Sequence, residues 1–196
     1  MVSRKIHIGI VIVAGLVLGG SYAIRNNAPP ADLLELSLGV ESSVLPSAVW
    51  VAENLGYFEE MGLILEINEY DSGRASLTAM LEGDQGIDIC TVAPTPIMFN
   101  SFERQDYVII STFVYSWTDI KVSANKASGV YSPVDLVGKK IGVPMGTTAQ
   151  FFVEAFLVKN GVSTSDVEII DVRPSDLPNS INSNEVDAIV IWEPHG

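Results

Sequence analysis

Residues Asp135 to Ala155 read DLVGKKIGVPMGTTAQFFVEA, in which a short helix, a strand, a Gly-Thr-Thr loop and a second helix follow one another directly. Ser132-Pro133 just upstream is a helix-start signal. The hydroxyl accepts an orphan N–H, and a proline at the first helical position gives up no hydrogen bond. Gly138 marks the stop. Lys140 to Val143 reads as a strand whose ladder ends at Pro144. Gly146 then allows a sharp turn before Thr147 or Thr148 caps a helix running through Phe151, Phe152, Ala155 and Phe156 to Gly161. A helix N-terminus aimed out of the carboxyl end of a strand offers free N–H donors and a positive dipole end, which suits an anionic or carbonyl group. The same residues also fit an ordinary strand-to-helix turn of a parallel sheet, so a ligand site here is an expectation.

Working outward, the apolar pattern predicts strands at Leu36 to Val40, Leu63 to Tyr70, Ile87 to Val92, Tyr107 to Tyr115 and Val186 to Ile191. Between them, helices are expected at Ser47 to Met61, stopped by Gly62, at Arg74 to Glu82 and at Pro94 to Glu103. Strands alternating with helices and joined by short loops argue for an α/β fold with parallel-rich sheets flanked by helices. The chain also echoes itself. Leu38-Gly39-Val40 followed by Ser42-Ser43 returns as Ile141-Gly142-Val143 followed by Gly146-Thr147-Thr148, and Asp88 leading to Ala93-Pro94 returns as Asp187 leading to Glu193-Pro194. Two lobes of like construction are expected, 34–124 and 125–196, with their strand-end loops facing each other across a cleft.

Ser42, Ser43, Ser72, Thr95, Thr147 and Thr148 are candidate hydrogen-bonding residues at helix starts. Gly73, Ala93 and Gly146 belong to the same turns. Arg74 can add a charge-assisted bond to an anion, or serve as a solvent-facing residue of its helix. Trp117 and Trp192 can stack on a flat ring or line an apolar wall. Glu193 can pair with an amine on the ligand or act as an acidic helix cap.

Composition narrows the function classes. The chain has 196 residues, 47% hydrophobic and 18% charged, which is globular, and a formal net charge of −13 that would repel nucleic acid. Residues 1–23 read as an export signal, with Arg4 and Lys5 before the apolar run Ile8 to Leu18 and a small-x-small site at Ser21-Tyr22-Ala23. Ile6 to Ile24 can also serve as an uncleaved anchor. A tail follows at 24–33, and a periplasmic or extracellular location is expected. Cys90 is the single cysteine and sits in an apolar strand, so a buried core thiol is expected, with a reactive or dimerising thiol as the alternative. The two histidines are His7, in the leader, and His195, beside the last residue. With so few candidate ligands and nucleophiles, no metal, no cofactor and no enzymatic activity are expected. Gly146-Thr147-Thr148 lacks the lysine of a nucleotide loop.

The motif D-L-x-G-K-K-I-G-V-P-x-G-T-T at 135–148, followed by DAIVIWEPH at 187–195, resembles the type II periplasmic substrate-binding proteins of ABC importers. The likeness spans roughly Leu36 to the last residue and is nearest to binders of aliphatic sulfonates, taurine, nitrate and thiamine precursors. It implies a two-lobed fold, a small anionic or zwitterionic ligand captured by lobe closure, delivery to an ABC permease, and a monomer. A ligand-sensing module of a membrane receptor is the alternative. The related thiamine-pyrimidine synthases use a cysteine-rich segment and a sacrificial histidine that this sequence lacks. Members of the family continue past the W-E-P motif, so a C-terminally truncated second lobe is expected, with nothing after the buried-type strand Val186 to Ile191 to cover its neighbours and the isolated chain poorly stable.

Overall fold

The computed structural model describes residues 33–194. The leader or anchor at 1–23, nearly all of the tail at 24–33, and His195 lie outside the described residues. Among those described, no helix is long and apolar enough to cross a membrane.

Two sheets organise the fold. The first is wholly parallel and has three strands, β1 (Leu34–Glu41), β2 (Leu63–Tyr70) and β3 (Ile89–Cys90), in the order β2-β1-β3. β1 is central. It pairs with β2 along its whole length, from Leu34 opposite Leu63 to Glu41 opposite Tyr70. Its second half is buried, as a strand covered on both faces should be.

Helices α1 (Ser47–Asn54) and α2 (Tyr57–Glu60) replace the single helix expected at Ser47 to Met61. Gly56, with φ at +71°, breaks the run, a conformation that costs glycine little. Helix α3 (Gly73–Glu82) begins with Ser72, whose hydroxyl accepts a hydrogen bond from the Ala75 N–H at 3.2 Å. Helix α4 (Pro94–Ser101) places its proline in the first turn.

The second sheet has four strands in the order β4-β7-β5-β6: β4 (Ile120–Ala124), β5 (Lys140–Val143), β6 (Glu168–Asp171) and β7 (Ala188–Trp192). β5 is parallel to both β6 and β7, while β4 lies antiparallel to β7. With a lobe boundary at 124/125, β4 would fall in the first lobe. Its partner is β7, from Ile120 opposite Trp192 to Ala124 opposite Ala188, so the chain crosses over before Ile120.

Helix α5 (Thr148–Lys159) is capped by Thr147, whose Oγ1 accepts from the Ala149 N–H at 3.2 Å and donates to the Pro144 carbonyl at 2.7 Å. Helix α6 (Leu177–Asn182) also contacts β5 and β7. The largest apolar cluster sits here, with Ile141, Val143, Val153, Leu157, Leu177 and Val190 fully buried.

β7 lies between β4 and β5, and all five of its residues are buried, as expected of a buried-type strand. Residues 107–115 form no strand. The apolar composition there suggested one, but a strand is defined by its ladder, and no described strand pairs with this segment. Val108, Ile109 and Tyr115 are consequently exposed. The strand expected at Ile87 to Val92 is also shorter, because only Ile89 and Cys90 pair with β1.

Candidate ligand-binding site

A cavity of about 580 Å³ opens between the two sheets, where the carboxyl ends of the parallel strands converge. From the first sheet it is lined by Glu41 at the end of β1, by Ser72, Gly73 and Arg74 after β2, and by Val92 and Ala93 after β3. The second sheet supplies Thr147 and Thr148 after β5, Trp192 at the end of β7, and Asp119 and Ile120 at the start of β4. The starts of α3, α4 and α5 all meet this space, so three helix ends present positive dipole to it.

Eight residues singled out from the sequence line the cavity: Ser72, Gly73, Arg74 and Ala93 on one side, and Trp117, Thr147, Thr148 and Trp192 on the other. Trp192 is 6% exposed and Trp117 is 95% exposed, so the first is part of the wall and the second stands at the mouth. The Thr148 hydroxyl is buried and has no hydrogen-bond partner among the described residues.

The other five are absent from the lining. Ser42 extends the β1 ladder, its N–H donating to the Tyr70 carbonyl at 2.8 Å. The Ser43 hydroxyl accepts from the Leu45 N–H at 3.2 Å and also bonds the Glu41 carboxylate. Thr95 is buried in the first turn of α4. Glu193 forms an ion pair with Lys121, because the antiparallel register of β4 on β7 brings the two side chains together. Gly146 acts through Arg74. Its φ is +72°, and a Cβ there would lie 2.7 Å from Arg74 Nε, so the glycine leaves room for the guanidinium to cross from α3 to the β5–α5 turn. Arg74 Nη1 donates to the Met145 carbonyl at 2.8 Å and thereby ties the two lobes. A second tie runs from the Ser175 hydroxyl to Asp71 Oδ2 at 2.9 Å.

Two carboxylates in the lining escaped the sequence reading. Glu41 is 8% exposed, and its Oε2 accepts from the Gly73 N–H at 3.0 Å. Burial pushes its carboxyl above the ordinary value, opposed by the hydrogen bonds from Gly73 and Ser43 and reinforced by the charge of Asp119. Asp119 is likewise pushed up, first by burial, then by the charge of Glu193, with Lys121 acting the other way. The available signal for Glu41 was its place: a carboxylate ending an otherwise apolar central strand.

Cys90 is half-buried and free. Burial pushes its thiol up to about 11, against a hydrogen bond to Ser76, which makes it a poor nucleophile. Among the described residues no group of three or more His, Cys, Asp or Glu side chains is arranged to hold a metal ion.

The taurine-binding periplasmic protein of Escherichia coli is 24% identical over 168 residues, covering 84% of this chain and 50% of that protein. Among solved structures, the periplasmic aliphatic sulphonate binding protein SsuA from Escherichia coli superimposes with a TM-score of 0.67 at 19% identity, over 83% of this chain and 55% of that one. The periplasmic nitrate-binding protein NrtA from Synechocystis gives 0.64 at 16% identity, over 86% and 48%. The chain spans about half the length of the curated relatives it matches. These likenesses bear out the two-lobed type II periplasmic-binding fold that the motifs implied. The family described as NMT1/THI5 like matches residues 47–194, and the chain belongs to that family.

Proposed function

We propose that this protein is an extracytoplasmic solute-binding component of an ABC importer, closing two α/β lobes over a small anionic or zwitterionic molecule and delivering it to a membrane permease. The observation that carries this reading is the cavity itself. It is built from strand ends and helix starts of both sheets, so a ligand seated there touches both lobes at once. Hinge closure around such a ligand is the usual way binders of this shape work. The Arg74 and Asp71 contacts already bridge the lobes and would be remade or kept as they close.

The relatives named for taurine and aliphatic sulphonates support a sulfonate-like solute, and a thiamine biosynthesis relative from Haemophilus influenzae keeps a pyrimidine in the candidate set. The protein acts by binding, without a cofactor and without turnover. The unpartnered Thr148 hydroxyl at the start of α5 supports a role for it in holding an anionic end of the ligand.

A thermal-shift screen of the purified protein tests the proposal with taurine, alkanesulfonates, nitrate, bicarbonate and aminopyrimidines. A true ligand at about a hundred times its dissociation constant adds about 2.7 kcal/mol of stability and raises Tm accordingly. A folded protein that responds to none of these classes would overturn it.

A further inference from the structure

We infer that Glu41 and Asp119 select a solute carrying a cationic nitrogen, so that the cavity takes amine-bearing organic molecules and turns away simple anions such as nitrate, bicarbonate and amine-free alkanesulfonates. The inference rests on the solute-binding reading above and narrows it.

The two carboxyl groups reach the same cavity from opposite lobes, Glu41 from the end of β1 and Asp119 from the start of β4. A cation between them would be held by both lobes. Neither takes part in an ion pair among the described residues. Of the nearby cations, Lys121 pairs with Glu193, and Arg74 lies on the Met145 carbonyl and keeps its charge. Glu41 is nearly inaccessible, and a buried carboxylate without a counter-charge is costly unless a partner arrives. Both groups are pushed toward the neutral form as they stand, and an entering ammonium would restore the charged form.

The walls suit the same guest. Phe113, Tyr115, Trp117 and Trp192 offer aromatic faces, which attract organic cations. The net charge of −13 works against the approach of a free anion. Where the solute also has an anionic end, the start of α5 is available to it.

Calorimetric titration of the full-length protein with matched probes decides the matter: taurine against ethanesulfonate, benzylamine against benzyl alcohol, and nitrate and bicarbonate alone. The amine-bearing member of a pair should bind tighter by about tenfold or more, the worth of one charge-assisted hydrogen bond. Glu41→Gln keeps an oxygen to accept from Gly73, and Asp119→Asn keeps the shape. Each should shrink that preference by a similar factor while the circular dichroism spectrum and a cooperative melt are retained. An amine-free partner that binds as well as its amine, or an undiminished preference in both variants, would overturn the inference and leave Glu41 as an acceptor for the start of α3 alone. Nitrate bound more tightly than any amine would sink the inference while leaving solute binding intact. Failure of every probe to bind the folded protein would take both down.

Discussion

Glu41 has two demands on it that pull in opposite directions. Its Oε2 satisfies the Gly73 N–H, yet its burial disfavours the charged form that makes that bond strongest. The folded-state pKa lies above the ordinary 4.5, so the folded protein binds the proton more tightly than the unfolded chain. Stability from this group is therefore full below the unfolded value and is lost as pH rises through the raised one. Glu41→Gln, neutral throughout, should raise Tm at about pH 7, and the gap to the parent protein should close on acidification toward about pH 4. Melts across that range check it, and a parent protein more stable than the variant at neutral pH would contradict it. Asp119, also pushed up, adds to the same trend in the parent protein. A residue that costs stability at neutral pH while lining a cavity is the pattern expected where binding, rather than folding, fixes the side chain.

Among the elements, α5 carries both the packing and the chemistry. Ala149, Val153 and Leu157 recur on its buried face against the second sheet, while Thr147 and Thr148 open it toward the cavity. The two threonines do different things. Thr147 caps the helix and is bonded on both sides, so Thr147→Ala should cost about 1 kcal/mol in denaturant unfolding. Thr148 has a buried hydroxyl with no partner, so Thr148→Val should leave stability unchanged or slightly higher and weaken the binding of a ligand with an anionic end. Equal losses of stability from both changes would show that this distinction is wrong. Leucine packing at Leu157 sets the scale for comparison, since Leu157→Ala should cost roughly 2–5 kcal/mol at a fully buried site.

Over the whole molecule, apolar burial is uneven. The second sheet holds the main core, whereas Phe102, Val108, Tyr115 and Trp117 stand exposed on the segment between α4 and β4. Exposed apolar side chains of this kind invite association. The purified chain should bind a hydrophobic dye such as ANS and associate as its concentration rises. Substituting Phe102→Asp together with Val108→Lys, both away from the cavity lining, should reduce both signals without lowering Tm. Light scattering alongside the dye titration checks this, and unchanged association in the double variant would place the sticky surface elsewhere.

The alternation of apolar runs with helix-start and helix-stop residues was enough to determine the α/β class, the strand at Lys140–Val143 and the helix starting at Thr148, because these depend on local periodicity and capping. The turns that carry Ser72, Gly73, Arg74, Thr147 and Thr148 to the cavity were legible for the same reason: residues at the carboxyl ends of parallel strands gather on one edge. Partners across the sheet were not legible. Residues 107–115 have the composition of a strand, but only a neighbouring ladder could make them one, while β4 is paired with β7 in the second sheet. The same antiparallel register pairs Glu193 with Lys121, and tertiary packing alone brought Glu41 and Asp119, far apart in the chain, to the same space. Local sequence decides which elements can form. Which side chains meet is decided by pairing and burial between distant segments, and that is where the charge character of this site resides.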